Sequence, residues 1–357
     1  MPGAYGVAMN AAVSRAWRVN EHGRPGEVLR LEEVEVRAPG PGEVRVAADA
    51  VTLNFNDIDG IYGRYRTVAP PLPYTPGMEV MGTVEAVGEG VEPMVGRRVV
   101  GIPTGAFGGY AERSVCPAAM TFEMPDRIPL PEAAAVCMPF HLAWLAVCRR
   151  GRLAPGETLL VHAAAGGAGS AAVQLGVRAG ATVIATAGSK DKVEFCRSLG
   201  AHVAVDYRNE DFVEAALEAT GGRGVDVAFD TVGGDVTTRT FRCMAFGGRH
   251  LLAGFASGIE AEDEGMVPRP ILFGNFDLAG VCLAYVDDPR AVKRATSHNF
   301  PSAADGRRWH AELVDRLATG DLRAIVDREV PFADLPAALE AMERRETIGR
   351  VVVRVTA

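Results

Sequence analysis

The chain has 357 residues, 48% of them apolar, 23% charged and 7% aromatic, with 41 glycines, 22 prolines and a formal net charge of −8. At roughly 150 residues per domain, this length suggests two domains that each bury a core, which excludes a small disulfide scaffold or a disordered tail. Acidic residues outnumber basic ones 45 to 37 with no Lys/Arg block, so no nucleic-acid partner is expected; no apolar run approaches the roughly 18 residues of a membrane helix, so no membrane partner is expected either and the protein reads as soluble.

Residues 1–13 are small and weakly patterned and read as a loose extension. From Ser14 to Arg127, β-branched runs at 34–36, 43–46, 82–87 and 97–100 are separated by Gly and Pro. Two-residue alternation between turn signals predicts half-buried strands of an antiparallel, barrel-like unit. Pro131 is tolerated at a helix start, and residues 132–150 carry helical spacing of Ala, Val, Leu and Trp. Apolar strands at 158–162, 182–186, 203–206, 225–230 and 249–253 then alternate with helices at 169–179, 190–199, 210–220 and 237–244. That rhythm predicts an α/β unit with a parallel sheet covered on both faces. Beyond Tyr285 it fades into a polar stretch, then a helix at 305–319, a strand at 324–329, a helix at 333–345 and a strand at 350–355, a tail that could return to the first domain.

The strongest chemical signal is Ala164-x-Gly166-x-x-Gly169, set between a predicted strand and a predicted helix. It has the spacing of a dinucleotide fingerprint with Ala in place of the first glycine. Gly166 lets the backbone approach a pyrophosphate, Gly169 lets the helix pack close to the strand, and the turn through Gly167 and Ala168 offers unpaired N–H groups to the anion. An enzyme using NAD usually has an acid at the end of the next strand. Here Ser189, Lys190 and Lys192 follow that strand and no acid stands at its end. A hydroxyl and two ammonium groups suit a 2′-phosphate, so NADPH is expected; the alternative is that the lysines are solvated helix-start residues.

Several stretches together resemble the zinc-independent quinone oxidoreductase branch of the medium-chain dehydrogenase/reductases. They are Val161-His-Ala-Ala-Ala-Gly-Gly-Ala-Gly-Ser170 and its continuation to Leu175, residues 180–189 and 199–208, Leu53-Asn-Phe-Asn-Asp57, residues 74–88, and Gly349-Arg-Val-Val-Val353. The resemblance implies a doubly wound Rossmann domain inserted into a GroES-like catalytic domain built from both chain ends. On this reading residues 14–135 and 300–357 form the catalytic domain and 136–299 the NADP-binding domain. Zinc-dependent relatives carry Gly-His-Glu where this chain has Gly77-Met78-Glu79, and four close cysteines where it has none between Val91 and Gly109. A thioether is a poor replacement for imidazole, so no zinc is expected. The six cysteines, Cys116, Cys137, Cys148, Cys196, Cys243 and Cys282, form no Cys-x-x-Cys pair and read as reduced thiols in a cytoplasm.

The resemblance also carries nucleotide contacts onto this chain. Asn54 would line the nicotinamide end, with a turn-capping amide as the alternative. Tyr207 would stand beside the adenosine phosphate, Gly254 and Phe255 would meet the nicotinamide carboxamide, and Asn275 and Phe276 would follow in the next crossing segment. Tyr65 is the candidate proton donor, or else an aromatic on the cleft wall. His141 is tempting as a base, although the family has Leu-Thr-Ala-Tyr at that point and Leu142 takes the threonine's place. His162 reads as structural. The expected activity is hydride transfer from NADPH to a quinone or similar electron-poor small molecule. The runner-up is reduction of an enoyl thioester or α,β-unsaturated carbonyl, and a non-catalytic NADPH sensor is the alternative of another class. A homodimer through the sheet edge near residues 278–282 and a loop at 257–270 over the cofactor complete the expectations.

Overall fold

The computed structural model describes residues 12–257 and 259–356. The expected loose extension lies outside them except for Ala12 and Val13, which open the first strand. β1 (Ala12–Val19) pairs antiparallel with β2 (Leu29–Val36). β3 (Glu43–Thr52), β4 (Val80–Val87), β5 (Arg98–Gly101), β6 (Arg113–Pro117) and β7 (Thr121–Glu123) follow in a mostly antiparallel sheet. β3 alternates half-buried and buried residues, as a strand with one face on a core must. Val44, Val46, Val51, Val84, Val99 and Tyr110 fill that core.

The second unit is a six-stranded parallel sheet of β8 (Thr158–Val161), β9 (Thr182–Ala187), β10 (Val203–Asp206), β11 (Val225–Asp230), β12 (Met244–Leu252) and β13 (Asp277–Gly280). Its order is β10-β9-β8-β11-β12-β13, the doubly wound arrangement whose ligand crevice opens at the carboxyl ends of the strands where the order reverses. Consecutive residues of β8 serve different faces. Leu159 joins a core with Phe140 and Phe229, while Leu160 joins Ile184 and Phe212. The continuous apolar strands read from the sequence therefore reflect burial on both sides.

β14 (Val326–Pro331) and β15 (Arg350–Arg354) come last in the chain, yet β15 pairs antiparallel with β3. The tail thus completes the first sheet. The segment read as one helix over 132–150 is in fact three: Leu130–Ala134, Cys137–Ala143 and a π-helical Trp144–Arg150. Pro139 has no N–H to give to the turn before it, so it is accommodated only in the first turn of a restarted helix. Strands β1, β6 and β7 lack an alternation strong enough to single them out in the sequence.

Candidate functional site

The phosphate loop leaves β8 and enters the helix Gly167–Arg178 with Gly166 as its N-cap. A Cβ on Gly169 would stand 2.7 Å from Ala164 Cα, so the close packing of helix on strand requires glycine there. Gly166 differs: a Cβ would meet only Ala163 O, at 3.3 Å. The backbone at 166 therefore faces open space at a helix N-terminus, the arrangement that receives an anion. Gly167 has a reason the fingerprint does not contain. Its missing Cβ leaves room for Arg350, whose Cδ would be 2.5 Å away.

Arg350 opens β15 and comes from the other sheet. Its guanidinium pairs with Glu79, donates to Asn54 Oδ1 (2.9 Å) and to Thr52 Oγ1 (2.6 Å), and is almost fully buried. Glu79 also accepts from the N–H of Met138 (2.7 Å), at the start of the restarted helix. Arg350 Nε is buried without a partner. The neighbouring Gly349 N–H donates to Ala165 O at 2.7 Å, so the tail, the barrel and the phosphate loop meet at one point. The sequence showed Glu79 and Arg350 only as parts of motifs; nothing in their spacing, 271 residues apart, pairs them.

At the adenosine end, Ser189 caps the helix Lys190–Ser198. Lys192 Nζ donates to Arg345 O at 2.7 Å; burial, with the nearby Arg345 and Arg208 guanidinium groups, lowers its pKa. Tyr207 lies against Gly188, where an added Cβ would be 2.7 Å from its hydroxyl. An open depression of about 610 Å³ beside them is lined by Ser189, Lys190, Arg197 and Arg208, and also by the carboxylates Glu194, Asp206 and Glu210. The Ser189 hydroxyl and the cations, at the carboxyl ends of β9 and β10, suit a 2′-phosphate. Arg208 and Arg345 are the cations that the sequence reading missed, Arg345 because it arrives from the tail.

Asn54 sits buried at the end of β3 and precedes the helix Phe55–Tyr62. Its amide donates to Glu79 (3.2 Å) and accepts from Arg350, so its side chain is shared with the buried ion pair. Asp57 accepts from Asn54 N–H (3.1 Å), Gly77 N–H (3.1 Å) and Tyr110 Oη (2.6 Å); burial still lifts its carboxyl to about 7. Tyr65 packs on Gly60 and donates its hydroxyl to Asn56 O at 2.8 Å. Burial and the nearby Asp57 and Asp59 raise its pKa, which weakens it as an acid. Gly254 and Phe255 leave the carboxyl end of β12 and lie against Thr231 and Gly233. Asn275 and Phe276 need correction. Asn275 O accepts from Gly247 N–H (2.8 Å) and Phe276 packs on Phe241, at the amino ends of β12 and β13, opposite the crevice. The crossing segment that reaches the crevice side follows β13, from Val281 to Tyr285.

His141 is fully buried with both ring nitrogens engaged, Nδ1 with Tyr285 Oη (2.8 Å) and Nε2 with His310 Nδ1 (3.0 Å). His310 Nε2 faces Glu123 O at 2.9 Å. A carbonyl only accepts, which fixes the direction for neutral rings: His310 donates to Glu123, His141 to His310, and Tyr285 to His141. Burial lowers the pKa of both imidazoles, His310 to about 4. This closed chain joins β7 to the restarted helix and leaves His141 no nitrogen free to act as a base. His162 is held between Thr186 and Thr240 (3.1 and 2.8 Å). Among the described residues, no group of three or more His, Cys, Asp or Glu side chains is placed to hold a metal, and Met78 offers no nitrogen ligand.

A doubly wound sheet with a phosphate loop, joined to a mostly antiparallel sheet completed by the tail, defines a two-domain nucleotide-dependent oxidoreductase. Residues 40–126 match the alcohol dehydrogenase GroES-like domain and residues 167–297 the zinc-binding dehydrogenase domain. The chain is 38% identical over 232 residues to quinone oxidoreductase-like protein 2 of Mus musculus, covering 64% of this chain and 65% of that protein. It is 31% identical over 345 residues to 2-haloacrylate reductase of Burkholderia sp., covering 94% and 97%. Escherichia coli quinone oxidoreductase complexed with NADPH superposes with a TM-score of 0.81 at 28% identity, over 96% of this chain and 100% of that one. The chain belongs to the medium-chain dehydrogenase/reductases, among their quinone oxidoreductase-like members.

Proposed function

We propose that this protein is an NADPH-dependent, zinc-independent reductase that delivers hydride to a quinone or a similar electron-poor acceptor. The observation that carries the reading is the crevice at the carboxyl ends of β8 to β10. The helix N-terminus is open at Gly166, and Ser189, Lys192, Tyr207 and Arg208 follow the ends of β9 and β10, with no carboxylate at the end of β9 although Asp206 ends β10. Gly166, Gly167, Ala168 and Gly169 would hold the pyrophosphate, with Ala164 behind them. Ser189, Lys192, Tyr207 and Arg208 would hold the 2′-phosphate, and Asn54, Gly254 and Phe255 the nicotinamide end. The bound cofactor supplies a hydride from its C4. The acceptor takes that hydride at an electron-poor carbon or oxygen and one proton from water, because the Tyr65 hydroxyl is committed to Asn56 O. The poor match of Met78 to a zinc site supports chemistry without a Lewis acid.

A second reading, reduction of an activated carbon–carbon double bond, is favoured by the near full-length alignment with 2-haloacrylate reductase. NADPH and NADH oxidation with a short quinone, an α,β-unsaturated aldehyde and a crotonyl thioester separates the two. Preference for NADH would overturn the cofactor assignment, and tight NADPH binding without turnover on any acceptor would leave a sensor. The same proposal includes a homodimer through the unpaired edge of β13, supported by the exposed Phe246, Leu272, Phe273 and Leu278 around it. It also includes the domain limits given above and a cytoplasmic location, supported by six unpaired cysteines.

A further inference from the structure

The segment after β12, described at residues 253–257 and 259–268, forms a strap to the first unit. It starts on the cofactor side, where Ala256 N–H and Ser257 N–H donate to Thr231 O (3.1 Å) and Val232 O (2.8 Å). It then reaches the opposite wall. Glu262 Oε1 accepts from two successive backbone amides of the barrel unit, Arg66 N–H at 2.6 Å and Thr67 N–H at 2.7 Å. Two adjacent amides converging on one oxygen make a seat for a carboxylate that needs no particular side chain. Both seat residues are exposed.

The surrounding charges favour the same ligand. Arg66 Nε donates to Glu260 O (3.3 Å), and Arg64 faces Glu260 (3.7 Å) as well as Asp59 (3.1 Å) and Glu343 (3.2 Å). Arg345 reaches Ala256 O at 3.5 Å from the other side. The strap also carries Asp263 and Glu264. Without the acids of the strap, Arg64 keeps Asp59 and Glu343, while the guanidinium groups of Arg66 and Arg345 remain as a local field that draws anions.

We propose that the amide pair of Arg66 and Thr67 is the seat for the carboxylate of an acidic acceptor, and that Glu262 occupies it until such an acceptor displaces it. This rests on the reductase reading above and adds a substrate class to it: electron-poor acceptors that carry a carboxylate in addition to the carbonyl that activates them. Glu262 is then an internal competitor that the substrate's own carboxylate displaces. A neutral acceptor gains nothing from the seat.

The test compares 4-oxopent-2-enoate with its methyl ester by NADPH consumption, in the wild type, Glu262→Gln and Thr67→Pro. Removing the competitor should raise the ratio of ester KM to acid KM about five-fold or more, the scale of a charge-assisted hydrogen bond. Removing the Thr67 N–H should bring the ratio close to one. An unchanged ratio in Glu262→Gln overturns the proposal. A second arm needs no turnover: calorimetric titration of the saturated acid 4-oxopentanoate into NADPH-loaded protein. Its Kd should fall about five-fold in Glu262→Gln, and equal Kd values in the two proteins would overturn the seat even if neither reduces any acceptor. Loss of turnover alone, with the Kd shift intact, would count against the reductase reading and not against the seat.

Discussion

Arg350 and Glu79 form a buried ion pair within the first unit, on its face against the second, and the stem of Arg350 fills the space left by the missing side chain of Gly167. One residue of the tail therefore supports the phosphate loop, the wall of the crevice at Asn54 and, through Glu79, the helix that begins the second unit. Glu79→Gln should leave the guanidinium buried without its counter-charge and cost about 3–5 kcal/mol. Urea denaturation measures this, and a loss under 1 kcal/mol would show that water or rearrangement satisfies Arg350 instead.

The glycines of the loop should separate by effect. Gly169→Ala forces a Cβ into Ala164 and should lower both stability and NADPH affinity. Gly166→Ala meets no serious obstacle within the protein, so it should keep the melting temperature within a few degrees while weakening NADPH binding about ten-fold. Equal losses of stability in the two variants would contradict the open space inferred at 166.

Cofactor preference offers a third check. Lys192→Ala and Arg208→Ala each remove a cation near the ribose end and should each reduce the ratio of kcat/KM for NADPH to that for NADH by about ten-fold or more, the scale of a hydrogen bond to a charged group. The NADH parameters should change little. If both cofactors lose equally, the cations serve the fold and not the 2′-phosphate.

The histidine chain predicts a stability loss in acid. His310 takes a proton near pH 6.5 when unfolded but only near pH 4 when folded. Its stabilising contribution is complete above about pH 6.5 and lost as pH falls toward 4, about 3 kcal/mol in all. Asp57, lifted to about 7, works the other way, favouring the folded state as pH falls through this range. The measurement is therefore the difference between wild type and His310→Gln across pH 4–7, which should narrow in acid. A constant difference would mean that His310 titrates normally.

Local chemistry and long-range placement differ in how well the sequence reveals them. The strands 203–206 and 225–230 were legible to the residue, because continuous apolar runs bounded by turns leave few other options. The phosphate loop was legible because its glycines, the preceding strand and the following helix are contiguous. Asn275 and Phe276 precede the edge strand and so lie at its amino end; the resemblance carried the nucleotide contacts to the wrong side of that strand. The pairing of Arg350 with Glu79, the approach of Lys192 to the Arg345 carbonyl and the contact of Glu262 with the Arg66 N–H all bring together residues from distant parts of the chain. No periodicity records such contacts. Tyr65 was found as a position but not as a state, since its commitment to Asn56 O depends on the turn at Gly63.

The position of β15 beside β3 has a consequence for biosynthesis. The parallel sheet is contiguous in the chain and can form as soon as it leaves the ribosome, whereas the first sheet needs residues 350–354, made some three hundred residues after their partners at 50–52. Until then the edge of β3 at residues 50–52 is bare, and Glu79 has no guanidinium to pair with. The nascent chain must therefore keep a half-built barrel from sticking to other strands while its nucleotide unit is already folded.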